Sequence, residues 1–219
     1  MLTIHGVTRS RASRIIWLCH EIGLTYRQVP VIQAYRLADP DAPDAPLNTH
    51  SPGFLRLSPA GAIPVIEDDG LVLSESMACT LHLARRYGQP FGPADAAEDA
   101  LMMQWSFFAV AAIEPDALTL LFLHGSGRAA SGAEAAAIAT AAERLMRPLA
   151  VIEDHLAARG QMVGGRFTVA DINTAEVLRY AQGHAPLMQG FPAIRAWLAD
   201  CQARPAFRRM WEMRLAEPE

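Results

Sequence analysis

The sequence predicts an α/β domain over residues 1–88 followed by an all-helical domain over residues 94–219. Three observations carry this division. The chain opens with a strand–helix–strand pattern in about thirty residues, the length of one βαβ unit. Asp69-Gly70 sits between two short apolar runs, a strong local signal for a hairpin, and a helical pattern follows it. Beyond the turn-rich Gly88–Pro93 (GQPFGP) no strand pattern recurs.

Leu2–His5 reads as the first strand, with Gly6 as its stop and Val7-Thr8-Arg9 as a loop. A helix starts at Ser10 or Ser13 and runs to about Ile22, because Ile15, Ile16, Leu18, Cys19 and Ile22 recur at helical spacing. Gly23 suits its C-cap. Tyr26–Ile32 is a second strand, parallel to the first across a right-handed connection. Gln33–Ser51 is the least regular stretch. Its Asp39–Pro46 run (DPDAPDAP) fits neither a helix interior nor a central strand, so it is a surface loop. A short helix is expected over Pro52–Leu57. Strands Val65–Glu67 and Leu71–Leu73 then flank the turn Asp68-Asp69-Gly70. A proline heading a strand donates no ladder hydrogen bond, so Pro64 belongs at an edge or a cis turn. Ser74 has the character of an N-cap for a helix Glu75–Tyr87. Glu75 and Ser76 would then sit in a first turn that offers free N–H groups and the positive end of the helix dipole. The order βαβ-α-ββ-α is that of a thioredoxin-like domain.

In the second half, Glu98–Leu123 is helical and heavily apolar, with Pro115 expected to break or kink it. Ser126–Gly132 reads as a loop, and Glu134–Arg159 as a long Ala-rich helix ended by Gly160. Thr168 with Asp171 three residues on resembles a capping box, and Phe167 with Ile172 a hydrophobic staple. That helix should reach about Gln182. Phe191-Pro192 opens another to Ala203, and Arg204-Pro205-Ala206 starts a final helical turn.

Apolar residues make up 51% of the 219 and charged ones 19%, which describes a folded chain. The net charge of −4 argues against a nucleic-acid or anionic-membrane partner, which asks for a basic face. All 19 basic residues are arginine. Residues 1–88 balance 8 Arg against 8 acids, and residues 94–219 carry 11 against 15. Cys19, Cys79 and Cys201 are odd in number, far apart and without metal spacing, which fits a reducing compartment and buried thiols. The longest uninterrupted apolar run, Phe107–Ile113, is too short to span a bilayer. Met1–Ile4 enters directly into a strand without a signal-peptide pattern, so the expected location is cytoplasmic. His5, His20, His82, His124, His155 and His184 show no paired spacing, and no metal is assigned.

Gly61-Ala62-Ile63-Pro64-Val65-Ile66, followed by Leu73-Ser74-Glu75-Ser76, resembles the glutathione-binding signature of glutathione transferases. The resemblance spans essentially the whole chain, more sharply in residues 1–88 than in the helical half. It implies a serine-type, bacterial cytosolic member acting as a homodimer with glutathione as cosubstrate. It further implies that Pro64 is cis, that the Ile63 backbone pairs with the cysteinyl part of glutathione, and that Glu75 and Ser76 hold its γ-glutamyl amine and carboxylate. Such chemistry needs the thiolate. The first strand–helix turn offers Ser10 and Ser13 but neither Tyr nor Cys. Aligning Arg14 and Gly23 with serine-type members puts Ser10 at the catalytic position, with Ser13 as the alternative and the other serine as helix N-cap. Arg11, with Arg9, flanks the site and either raises the local potential or is simply solvated. His50 stands where plant-like relatives carry a Lys for the glycyl carboxylate, and an ordinary loop histidine is the competing reading. Ala62 replaces a Gln or Lys common in the family, which removes one polar contact.

The implied reaction is attack of the glutathione thiolate on an electrophilic, hydrophobic substrate. Met103, Phe107 and Phe108 are candidates for an apolar wall, although a Met/aromatic stripe at helical spacing is more often core. Glu114 and Asp116 around Pro115 read either as ligands or, in preference, as solvated carboxylates. The alternatives are glutathione-dependent peroxide or disulfide reduction, dehalogenation or isomerisation, or a non-catalytic binding module on the same fold.

Overall fold

The computed structural model describes residues 1–125 and 131–217, which form two compact units. In the first, strands β1 (Leu2–His5), β2 (Tyr26–Val29), β3 (Val65–Asp68) and β4 (Leu71–Ser74) make one sheet in the order β2-β1-β3-β4. β1 and β2 are parallel, Leu2 opposite Tyr26, while β3 runs antiparallel to both β1 and β4. Helices α1 (Ala12–Ile22), α2 (Pro52–Leu57) and α3 (Ser76–Tyr87) complete the thioredoxin-like order. Gly23 ends α1 in the left-handed region, at φ 67°. β2 stops at Val29 rather than Ile32, because Pro30 has no N–H to continue the ladder. The chain still follows β1: Val31 accepts the Val7 N–H at 3.2 Å, and Ile32 bridges to Asn48.

The N-cap expected at Ser74 is not formed. Ser74 stays in β4 opposite Val65, Glu75 turns the chain at φ 65°, and α3 begins at Ser76 without a side-chain cap. Ladder pairing holds Ser74 in the extended conformation. At the other end of α3, buried Asp68 accepts from Tyr87 Oη at 2.9 Å and Arg86 Nη1 at 3.4 Å, and meets His82 Nε2 at 2.8 Å. Burial pushes its carboxyl up, but these partners outweigh burial and leave it below its ordinary value.

The second unit, Pro90–Arg204, is helical: α4 (Ala96–Phe108), α5 (Glu114–Gly125), α6 (Gly132–Arg159), α7 (Val169–Ala181), α8 (Ala185–Met188) and α9 (Pro192–Ala203). Pro115 does not break its helix. A widened π-helical segment, Ala109–Ile113, joins α4 to α5, and the Glu114 N–H reaches back to Ala109 O. The wider turn makes room where the proline ring would otherwise press on the preceding carbonyls. The resulting run Ala96–Leu123 is long and apolar enough to cross a membrane by length and composition alone, a property the shorter apolar run over 107–113 does not reveal. It packs on α6 and α7, burying Met102, Ala109, Ile113, Ala117 and Leu120, while Leu101, Phe107 and Phe122 stay exposed. The loop expected over 126–132 lies outside the described residues except at its end. There Ser131 forms a capping box with Glu134, so α6 starts at Gly132.

Asp171 is wholly buried at the start of α7 and gathers four donors: Thr168 N at 2.8 Å, Thr168 Oγ1 at 3.0 Å, Met162 N at 3.0 Å and Trp197 Nε1 at 3.1 Å. It therefore ties α7 to the preceding loop and to α9. The last helix, α10 (Pro205–Ala216), is twelve residues long rather than one turn. It belongs to the first unit, not to the helical domain in which the sequence places it. Phe207 meets Trp17 of α1 edge to face at 4.9 Å. α1 is buried from Ala12 through Cys19, and a helix buried on every side needs a cover opposite the sheet.

Glu98 and Arg166 form a bidentate ion pair within the helical unit. Arg166 donates to Glu98 through Nη1 at 2.8 Å and Nη2 at 2.6 Å, and to Pro90 O and Gly92 O at 2.9 Å. A side chain at Gly164, φ 69°, would stand 2.2 Å from Arg166 Nη1, so glycine leaves room for the pair. The Arg166 hydrogen bond holds the Glu98 carboxyl down at about 2. A depressed carboxyl stabilises the fold fully above its ordinary value and loses that contribution as pH falls through the folded value. In urea unfolding, Glu98→Gln is expected to lower the midpoint near neutral pH, and the difference from wild type should shrink between about pH 4.5 and about pH 2. A difference constant across that range would show that the pair does not titrate as described.

Candidate functional site

Three strand ends meet at one edge of the sheet. His5 lies opposite Val65, and Val65 opposite Ser74. β1 therefore delivers the loop Val7–Arg11, β3 is headed by Ile63-Pro64, and β4 hands over to Glu75 and α3, all at the same edge. The Ile63–Pro64 bond is cis. Gly6, at φ 144°, holds a backbone conformation that other residues rarely adopt, and a Cβ there would stand in ordinary contact, 3.4 Å, with both the Ala12 and the Ile63 Cβ atoms. Arg14, only 1% exposed, crosses from α1 to α3 and donates from Nη1 to Ser76 Oγ at 2.9 Å. The sequence does not announce this contact, since its partners are 62 residues apart.

The Ser10 hydroxyl, half-buried ahead of α1, donates to Val7 O at 2.6 Å and accepts the Ala12 N–H at 3.0 Å. Ser13 lies inside α1 with no exposure. Of the two serines only Ser10 faces solvent, and it also carries the cap-like bond. Arg11 is exposed. His50 is exposed too, with Nδ1 3.2 Å from Asp41 Oδ1 in the Pro/Asp loop. That loop is organised by a residue the sequence reading did not single out. Buried Asn48 donates to Pro40 O and Pro46 O, both at 2.9 Å, and accepts the His50 N–H at 2.8 Å. The neighbouring Thr49 carbonyl lies 3.3 Å from where a Gly61 Cβ would stand, which brings the loop beside the segment that leads to Pro64. Glu75 projects into solvent and Ser76 is buried at the head of α3.

This edge offers a hydroxyl, a carboxylate and the N-terminal end of α3. It does not offer a cysteine nucleophile: burial pushes the Cys19 and Cys79 thiols up to about 12. Among the described residues no three His, Cys, Asp or Glu side chains converge as a metal set. In the helical unit Phe107 is 63% exposed, while Phe108 packs edge to face on Trp105 at 5.8 Å.

The family described as "Glutathione S-transferase, N-terminal domain" matches residues 9–86, and "Glutathione S-transferase, C-terminal domain" matches residues 99–205. Glutathione S-transferase 3 of Zea mays is 31% identical over 217 residues, covering 95% of this chain and 92% of its own. This chain belongs to the glutathione S-transferase family. A theta-class glutathione S-transferase from Xanthomonas axonopodis pv. citri, solved with glutathione bound, superposes with a TM-score of 0.76 at 28% identity and covers 95% of each chain. Elongation factor 1-gamma of Sus scrofa is 33% identical over 178 residues, 77% of this glutathione S-transferase family chain but 39% of that protein.

The Arg14–Ser76 contact joins two helices through a buried charge. Ser76→Ala removes one acceptor of that charge and is expected to cost roughly 1–3 kcal/mol of stability. Urea unfolding at neutral pH measures it, and a midpoint unchanged from wild type would show that the contact does not support the fold.

Proposed function

We propose that the chain is a glutathione transferase, joining the glutathione thiolate to an electrophilic apolar substrate, with Ser10 stabilising the thiolate. The observation that carries the reading is the gathering of the Ser10 loop, Ile63-Pro64 and the Glu75-Ser76 turn at one sheet edge, in a chain of this family. In this proposal the Ile63 backbone, which precedes the β3 ladder, pairs with the cysteinyl unit as one more strand would. Glu75 holds the ligand's ammonium. Ser76 and the first N–H groups of α3 hold its α-carboxylate, as helix N-termini hold anions. Arg11 raises the local potential. His50 reaches the glycyl carboxylate by leaving Asp41. The enzyme is a cytoplasmic homodimer, and no metal takes part.

The energetics are sufficient without a general base. Lowering a thiol from ~8.5 by about two units takes roughly 2.7 kcal/mol. One hydroxyl donating to an anion supplies roughly 1.5–3 kcal/mol, and a helix N-terminus adds ~0.3–1. Ser10 stands ahead of α1, where both act together.

A second reading, a binding module without turnover, is favoured by one observation: the 33% identity to elongation factor 1-gamma. Turnover of an aryl halide against a disulfide reporter separates conjugation from reduction, and absence of both supports the binding module.

Ultraviolet titration of bound glutathione tests the role of Ser10. Wild type is expected to form thiolate well below the free thiol's range. Ser10→Ala should raise that midpoint by about one to two units and lower kcat/KM roughly 10- to 150-fold. A low midpoint that survives the substitution moves the role to Ser13 or to backbone N–H groups. Failure of the wild type to bind glutathione refutes the transferase.

A further inference from the structure

The loop ahead of Ser10 is held from a distance of more than 200 residues. Beyond α10, Glu217 accepts the Thr8 N–H at 2.6 Å through Oε1 and the Arg9 N–H at 2.7 Å through Oε2. Arg214 Nη1 donates to Thr8 O at 3.0 Å, and Arg9 Nε donates to Arg214 O at 3.0 Å. Four hydrogen bonds thus clasp two consecutive residues, all within the first unit. One of them meets Ser10 across a single peptide group. The Val7–Thr8 peptide presents its N–H to Glu217 and its carbonyl to the Ser10 hydroxyl at 2.6 Å. An ionised carboxylate on the N–H polarises the peptide and makes its carbonyl a stronger acceptor.

We infer that Glu217 is a positioning residue for Ser10: by binding the Thr8 and Arg9 N–H groups it holds the Ser10 hydroxyl on the Val7 carbonyl, turned from the thiolate. The inference rests on the proposed transferase function and adds a control to it. Glu217 also stands on the wall of a cavity of about 420 Å³, lined by Val7, Pro30, Ile32 and Leu37 with Arg36 as its cation. An apolar ligand entering that cavity meets Glu217 directly, and displacing the carboxylate releases the hydroxyl. The charged side chains near the clasp are Arg9 and Arg214, which bind backbone oxygens within it, and Arg36 of the cavity, with Arg11 next to Ser10 in sequence.

The test compares wild type, Glu217→Gln, Ser10→Ala and the double variant. Amide hydrogen exchange of Thr8 and Arg9 without ligand reads the clasp itself. Glu217→Gln is expected to speed both amides by about tenfold or more. Ultraviolet titration with glutathione reads the effect on Ser10. The thiolate midpoint should fall by about half a unit, roughly threefold in the acid constant, when Ser10 is present and stay unchanged when it is Ala. Unchanged exchange, an unchanged midpoint, or a fall that persists without Ser10 overturns the inference while leaving the transferase standing. Wild type that does not bind glutathione overturns the transferase and this control together.

Discussion

From Ala12 to Cys19, helix α1 leaves no face to water. That burial is the constraint on which the first unit depends. A helix surrounded on all sides must find apolar partners on all sides, because exposing Ile15, Ile16, Trp17 or Leu18 forfeits roughly 1.5–3 kcal/mol each. The sheet and α3 supply part of the cover. Another part comes from α10, separated from α1 in sequence by the whole helical unit, which sets Phe207 against Trp17. Once α10 is fixed there, Arg214 in its last turn and Glu217 just beyond it meet the loop that precedes α1.

The same burial sets the polar contacts. Arg14 is carried into the interior with α1, and a buried guanidinium without acceptors is costly. Ser76 at the head of α3 provides one acceptor. The two helix starts that flank the sheet edge are therefore coupled through a charged group. The sheet register gathers the backbone segments there, and the Arg14 contact keeps two of the helices that follow them in place. The candidate site is a by-product of how the core is closed.

The helical unit solves a parallel problem with carboxylates. Asp171 is inside the protein, and four donors offset the desolvation that pushes its carboxyl up. Glu98 sits nearer the surface and gains from a bidentate arginine, so its carboxyl goes down. Two acids at helix starts shift in opposite directions, because burial dominates at Asp171 and the arginine at Glu98. Each anchors loop backbone that the helices alone would leave loose.

Much was legible locally. The turn at Asp69 and Gly70, with φ of 56° and 87°, follows from residues that tolerate a left-handed backbone. Gly23 and Gly160 stop their helices for the same steric reason. Asp171 reaching back to Thr168, and Pro192 at the head of α9, depend only on near neighbours. In the candidate site, Pro64, Glu75 and Ser76 were visible as a spaced motif. What the sequence could not decide depended on distant partners. Ser74 reads as a cap until Val65 claims it for the ladder. Ser10 and Ser13 are alike in type and spacing, and only the packing of α1 leaves one at the surface and buries the other. The length and place of α10, the reach of Arg14 to Ser76 and that of Glu217 to Thr8 carry no local signal, because each is made by groups that folding alone brings together. Backbone sterics and short-range hydrogen bonding determined the elements, and the demand to cover a helix buried on every side decided how they close around the site.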